Sequence, residues 1–239
     1  MLSVTSLWLD GELSIVSDSN DSITVESDAA QQVVVKVNGV VDNSVPSIAA
    51  SDVRAIVVEG GDLGNRLDLR AISASAFSYT DPVTGDPMSI TIEGNNGDDV
   101  IYGSSGFGDV ISGGDGDDFI DGREGDDVIT GDDGNDSIYG QDGDDEISGN
   151  DGDDFVVGLA GDDVIDGGDG ADTLNGGDDN DVIFGGDHSD VIQGNDGNDT
   201  LNGESGADTI RGGSGNDSVR GGGAADRLEG DDGDDVLTG

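Results

Sequence analysis

From Gly94 onward one large aliphatic residue returns at a fixed interval, from Ile101 through Ile129 and Leu174 to Leu237. Each sits at position eight of a block that opens with Gly. The blocks start at Gly94, Gly103, Gly113, Gly122, Gly131, Gly140, Gly149, Gly158, Gly167, Gly176, Gly185, Gly194, Gly203, Gly212, Gly221 and Gly230, and together cover 94–238. Fifteen of the sixteen hold nine residues; the one from Gly103 holds ten, with the extra residue around Phe107 and Gly108. Position six is Asp in all sixteen, allowing for that insertion, and position four is Gly in all but three, where Asp179, His188 and Ala224 stand. Position seven is mixed. A fixed internal period of this kind is read before anything else, because it decides the architecture.

The end of each block, as in Asp127-Val128-Ile129-Thr130, alternates and is β-branched, so it predicts a short strand. The first six residues, as in Gly122 to Asp127, predict a turn, with Gly at positions one and four supplying backbone angles that a Cβ penalises. Nine residues cannot bury their own aliphatic side chain, but stacking can. Two blocks make a coil of eighteen residues with a strand on each side, and the position-eight side chains pile into a thin core. Coils ~4.8 Å apart would make eight of them a rod roughly 40 Å long. The expected fold is all-β: a parallel β-roll, or β-solenoid, over 94–239.

Residues 1–93 are less regular. Apolar runs recur at Leu13 to Val16, Ser22 to Val25, Val33 to Val37, Ile56 to Val58, Leu67 to Leu69 and Ile90 to Ile92. Asn20-Asp21-Ser22-Ile23-Thr24 resembles positions five to nine of the block, and Gly60-Gly61 followed by Gly64-Asn65-Arg66-Leu67 is another worn copy, with Asn65 in place of Asp. This segment is read as an irregular β-solenoid cap, since solenoids need atypical terminal repeats. A small separate β-sandwich is the alternative, and Val40 to Ser51 and Ser73 to Asp86 are connectors in either case.

Charge adds the chemistry. The 239 residues carry 55 acids against 8 Lys and Arg, a net of -47. Nucleic acid and anionic membrane surfaces are disfavoured partners, because binding phosphate needs a basic surface. Dense carboxylate calls for a hard cation, and calcium prefers oxygen ligands. There are no cysteines, hence no disulfide and no thiolate metal site, which by itself does not fix the compartment. No run of about 18 apolar residues predicts a membrane-spanning helix. Met1 to Asp10 lacks the basic start of a Sec signal peptide, so export would take another route. The lone His188 has no His or Cys partner and reads as a tolerated turn substitution. One histidine rules out H-E-x-x-H, and no G-x-S-x-G elbow precedes a helix, so no enzyme is expected. EF-hands are excluded too, since no twelve-residue loop with flanking helices is present. The aliphatic at position eight argues against a disordered acidic tail.

The block reads G-G-x-G-x-D-x-U-x, with U a large aliphatic; Gly113 to Asp121 and Gly167 to Asn175 match it in full. It resembles the RTX, or repeats-in-toxin, family of calcium-binding nonapeptide repeats. The resemblance is strong over 94–238 and weak over 1–93. It implies calcium between stacked turns, with the position-six carboxylates as side-chain ligands: Asp99, Asp109, Asp118, Asp127, Asp136, Asp145, Asp154, Asp163, Asp172, Asp181, Asp190, Asp199, Asp208, Asp217, Asp226 and Asp235. Acids at positions three and five, such as Asp133 and Asp144, are read as solvated or supporting. Sixteen turns in two rows leave at most fourteen gaps for ions, which would take the net charge from -47 to about -19. The insertion before Asp109 and the substitutions Asp179, His188 and Ala224 put individual gaps in question. The resemblance further implies type I secretion cargo, exported unfolded and folded outside in calcium at roughly 10⁻⁴–10⁻³ M. Three roles remain open: a calcium-dependent folding and secretion module, a calcium-stiffened adhesive module with an unknown surface or matrix partner, and the non-catalytic tail of a larger secreted hydrolase. Ice binding would favour a row of Thr at position three, which no block has.

Overall fold

The computed structural model describes residues 5–9, 12–17, 21–27, 33–38, 40–41, 49, 53, 55–73 and 89–239. None of these residues is helical, and they form two twelve-stranded sheets that face each other. From Ser89 on, the chain alternates between the sheets, and every strand pairs in parallel with the strand one coil later. Thus Ile111 lies beside Ile129, and Ile129 beside Ile147, while Ile120 lies beside Ile138 in the opposite sheet. The eighteen-residue coil expected from the sequence is therefore the repeating unit of a parallel β-solenoid. Position-eight side chains from both sheets fill its interior: Ile101, Ile120, Ile138 and Ile165 are fully buried. Each such burial contributes about 1.5–3 kcal/mol.

Most strands of the roll are longer than the sequence predicts, although Val100–Tyr102, Thr200–Asn202, Ser218–Arg220 and Val236–Thr238 keep to three residues. Val128–Asp133 and Val164–Asp169, for example, run from position seven through position three of the next block. Only positions four to six turn. The reason is a bulge repeated in every coil: pairing passes from Thr130–Ser148 directly to Asp132–Asn150, so the position-one glycines drop out of the ladder. The residue after each, Ser104 excepted, takes left-handed backbone angles, as at Asp132 (φ 77) and Asn150 (φ 73). Asn and Asp tolerate that region better than most residues.

Position-one glycines do not have positive φ, contrary to the role expected for them. They are there for space. A Cβ on Gly122 or Gly185 would fall 2.5 Å from the Oδ2 of Asp127 or Asp190 in the same block. Position four does need Gly for its angles, with φ of 131 at Gly125 and 139 at Gly143, while Asp179, His188 and Ala224 accept φ of 74, 80 and 69.

The described part of 1–93 continues the same two sheets, as a cap and not as a separate sandwich. Glu12–Val16 pairs with Ala55–Glu59, which pairs with Ser89–Asn96. Opposite them Ser22–Ser27 pairs with Arg66–Asp68, which pairs with Val100–Tyr102. Antiparallel strands close this end: Thr5–Leu9 on one sheet, Val33–Val37 and Val40–Val41 on the other. Most of the two expected connectors lies outside the described residues. On the outer face of the second sheet Tyr102, Phe119, Tyr139 and Phe155 form a ladder with ring centroids 5.7–5.9 Å apart. Arg66 and Arg70 stack on Tyr102 at 4.5 and 4.2 Å. Such cross-strand pairs each contribute about 0.2–1 kcal/mol.

Candidate metal centre

The turns stack in two rows. One row holds Asp99, Asp118, Asp136, Asp154, Asp172, Asp190, Asp208 and Asp226; the other holds Asp109, Asp127, Asp145, Asp163, Asp181, Asp199, Asp217 and Asp235. All sixteen expected residues fall in these rows. Fourteen of them are only 1–3% exposed, and Asp226 and Asp235, in the last coil, are half-exposed. Within a row each position-six N–H donates to the Oδ1 of the next position-six carboxylate. All fourteen such bonds are present, at 2.7–3.1 Å.

The second carboxylate oxygen is different. Oδ2 is buried and without a hydrogen-bond partner in thirteen of the sixteen, from Asp99 to Asp217 with Asp109 excepted. A buried carboxylate oxygen with no donor carries a large desolvation penalty. Burial accordingly pushes these carboxyls far above the usual range: Asp99, Asp163, Asp190 and Asp199 to about 6, Asp118, Asp127, Asp136 and Asp172 to about 7, and Asp145 and Asp181 to about 8. The bond from the preceding turn's N–H pulls the other way without cancelling the effect.

Further oxygens crowd the same turns. Position-four N–H groups donate to position-three carbonyls and position-seven N–H groups to position-six carbonyls, as in Gly134 to Asp151 and Glu146 to Asp127. In the coils from Gly113 on, no backbone hydrogen bond ends on a carbonyl of position four or five. Each turn therefore offers neutral carbonyl oxygens and one under-satisfied carboxylate.

The worn copy at 60–68 shows what this arrangement lacks. Asn65 stands at position six, and its Nδ2 occupies the place of Oδ2, 2.9 Å from where a Cβ on Gly60 would be. That Nδ2 donates to the carbonyls of Leu63 and Gly61 in its own turn. An amide hydrogen thus bridges two sets of oxygen in the cap. In the roll the Oδ2 and the carbonyls around it are all acceptors, a set that a cation can bridge. Among the described residues no three acidic or imidazole side chains converge on one point. A metal here would draw on backbone carbonyls as well as carboxylates, a hard-oxygen set that suits calcium and offers nothing to a soft metal.

Position five holds a feature that sequence reasoning missed. Its side chains are exposed, as expected, yet they form a second ladder: the N–H of Asp162 donates to Asp144 at 2.9 Å, and that of Asn198 to Asn180 at 3.0 Å. The signal was available, since position five is Asp, Asn or Ser in twelve of the sixteen blocks. His188 occupies a position-four turn site, as read from the sequence.

No curated protein matches the chain. A family model described as the RTX calcium-binding nonapeptide repeat (4 copies) matches residues 91–109, 105–138, 121–156, 148–183, 184–219 and 211–239. These overlapping stretches run unbroken along the whole roll and take in well over half of the sequence, so the chain belongs to the RTX calcium-binding nonapeptide repeat family, whose repeats bind calcium ions at multiple sites.

Proposed function

We propose that this chain is a calcium-dependent folding module of an exported or cell-surface protein, in which the position-six aspartates hold calcium between successive turns of each row. The observation that carries this reading is the run of thirteen buried Oδ2 atoms without a hydrogen-bond partner, in turns whose position-four and position-five carbonyls accept no backbone hydrogen bond from Gly113 on. Bound calcium supplies the positive charge that those oxygens and carbonyls lack. The aspartates orient their oxygens through the N–H ladder, and the position-one glycines leave room for them. Binding free energy then becomes folding free energy, because the unfolded chain has no preformed site. A net charge of -47 opposes compaction until ions offset it. Sites of the weak extracellular class would stay empty in cytosolic calcium and fill outside the cell, which fits export in an unfolded state.

The repeat is a non-catalytic one, and we extend that reading to the chain: it acts as a scaffold or module and not as an enzyme. The segments 1–93 and 94–239 serve as cap and roll. Circular dichroism during a calcium titration tests the proposal. Strand signal should rise with a midpoint between micromolar and millimolar calcium. A chelated chain as folded and as heat-resistant as the loaded one would overturn it.

A further inference from the structure

The two ladders differ in how their charges are distributed along the chain. Position six is Asp throughout. Position five is Asp in six of the eight blocks from Gly94 to Asp166, and in none of the seven from Gly167 to Glu229. The segment Gly113 to Tyr139 holds ten acids against one arginine, whereas the equally long Gly203 to Glu229 holds five against three.

The hydrogen bonds follow the same division. In the second row Asp126, Asp144 and Asp162 stack as three carboxylates, joined only by backbone N–H bonds of 3.1 and 2.9 Å. Asn180, Asn198 and Asn216 stack directly after them. There every step has two bonds, one from the backbone N–H at 2.9–3.0 Å and one from the side-chain Nδ2 at 2.9–3.1 Å. In the first row the late blocks have Ala171, Ser189, Ala207 and Ala225, which add no charge. The position-five charges reach the site itself: Asp126 acts on the carboxylates of Asp127 and Asp145, and Asp144 and Asp162 on that of Asp163. Calcium affinity is tuned by the number of charges around a site.

We infer that position five sets how strongly each turn depends on calcium, dividing the roll into a calcium-demanding part up to Asp166 and a calcium-sparing part from Gly167 to Glu229. This rests on the reading that the turns hold calcium. In the first part stacked acids repel when no cation is present and strengthen the site when one is. In the second, an amide ladder ties the second-row turns together without an ion, and position five of the first row carries no charge.

Two nearly isosteric double variants of the full chain test this, each melted in chelator and in millimolar calcium. D144N/D162N should melt higher than the parent in chelator and gain less from calcium. N180D/N198D should melt lower in chelator and gain more. The change in calcium gain should be about 5 °C or larger in each case. Amide exchange should show the same split, with chelation releasing protection in Glu146–Asp151 and Phe155–Ala160 before Thr173–Asp178 and Val191–Asp196. If both variants gain as much from calcium as the parent does, position five does not tune the sites. An equal loss in both media for N180D/N198D would reduce the ladder to a purely structural role and overturn the inference. A parent that gains nothing from calcium would instead overturn the calcium reading itself, so the two failures are distinguishable.

Discussion

Replacing Asp145 by Asn separates the two tasks of a position-six carboxylate. Asp145 is 2% exposed. Its Oδ1 accepts the Asp127 N–H at 2.8 Å, its own N–H donates to Asp163 at 2.9 Å, and its Oδ2 has no partner. Asparagine keeps the accepting oxygen and puts an NH₂ where Oδ2 was. Asn65 already makes that exchange in the cap, donating to the carbonyls of its own turn. Without calcium the variant should therefore be more stable than the parent. Burial pushes Asp145 from the ordinary 3.8 to about 8. At about 1.4 kcal/mol per pH unit this sets a ceiling of roughly 5 kcal/mol for the ionised side chain at pH 8. Screening by water near the turn and relaxation of the coil bring the expected relief to about 2 kcal/mol, or ~4–8 °C in melting temperature for a chain of this size. In millimolar calcium the sign reverses. On the proposed reading Asp145 borders two gaps, toward Asp127 and toward Asp163, and both would lose an anionic ligand. Melting curves followed by circular dichroism in chelator and in calcium give the four numbers needed, with Ser218→Ala as a control expected within about 0.5 kcal/mol of the parent. If Asp145→Asn lowers stability equally in both media, the carboxylate serves only as a hydrogen-bond acceptor and the reasoning fails.

Acid should partly replace calcium. Burial pushes eleven of the position-six carboxyls to about 6 to 8 in the folded chain, against 3.8 ordinarily, so the folded state holds more protons between those values. The metal-free roll should be most stable near pH 4 and should weaken as pH rises through 6 to 8, which amide exchange in chelator at stepped pH would reveal. By the same linkage, calcium uptake at pH 7 should release protons, measurable with an indicator dye in weak buffer. Gly140→Ala should cost more than about 2 kcal/mol, because its Cβ would collide with the Asp145 Oδ2 and lie 3.0 Å from the Gly158 carbonyl oxygen. Its neighbour Gln141, at φ 88, should instead accept Gly with up to about 1 kcal/mol of gain; chemical denaturation of the pair in calcium checks both. Ile138→Ala, at a fully buried core position, should cost about 2–5 kcal/mol in the same assay.

The period, the eighteen-residue coil, the aliphatic core and the two aspartate rows were all legible, because each follows from a residue that hardly varies along the chain. What stayed hidden depends on contacts between coils. The strands reach through positions one to three because a left-handed residue can sit inside a bulged ladder, which composition reads as a turn. Gly at position one looks like a turn residue, yet it answers to the Asp145-type side chain folded over it, a clash visible only in three dimensions. The position-five ladder was masked by its chemistry, since exposed Asp and Asn are read as solvated. Worn copies in the cap were recognisable from Asp21 and Asn65, but their register with Asp99 was not.

On the proposed reading, the ends of the rows explain why the need for a cation belongs to the repetition and not to aspartate as such. In the first row the series begins at Asp21, where the Ser17 hydroxyl donates to Oδ2 at 3.0 Å and the Asn38 amide to Oδ1 at 2.7 Å. Asn65 follows, carrying its own donor. In the second row the series begins at Asp109, where the Ser104 N–H and hydroxyl reach the two oxygens at 2.6 and 3.1 Å. Each of these carboxylates or amides is satisfied by hydrogens that irregular residues bring in. A strict nine-residue repeat cannot do this. Every turn presents the same position-six carboxylate to its neighbours above and below, and once the N–H ladder is spent its Oδ2 has no donor left. On the proposed reading an identical stack of such oxygens closes around positive charge, whereas a cap that breaks the repeat can close around protons already on the chain. The irregularity of the first coils is therefore what lets each row start on groups that need no ion.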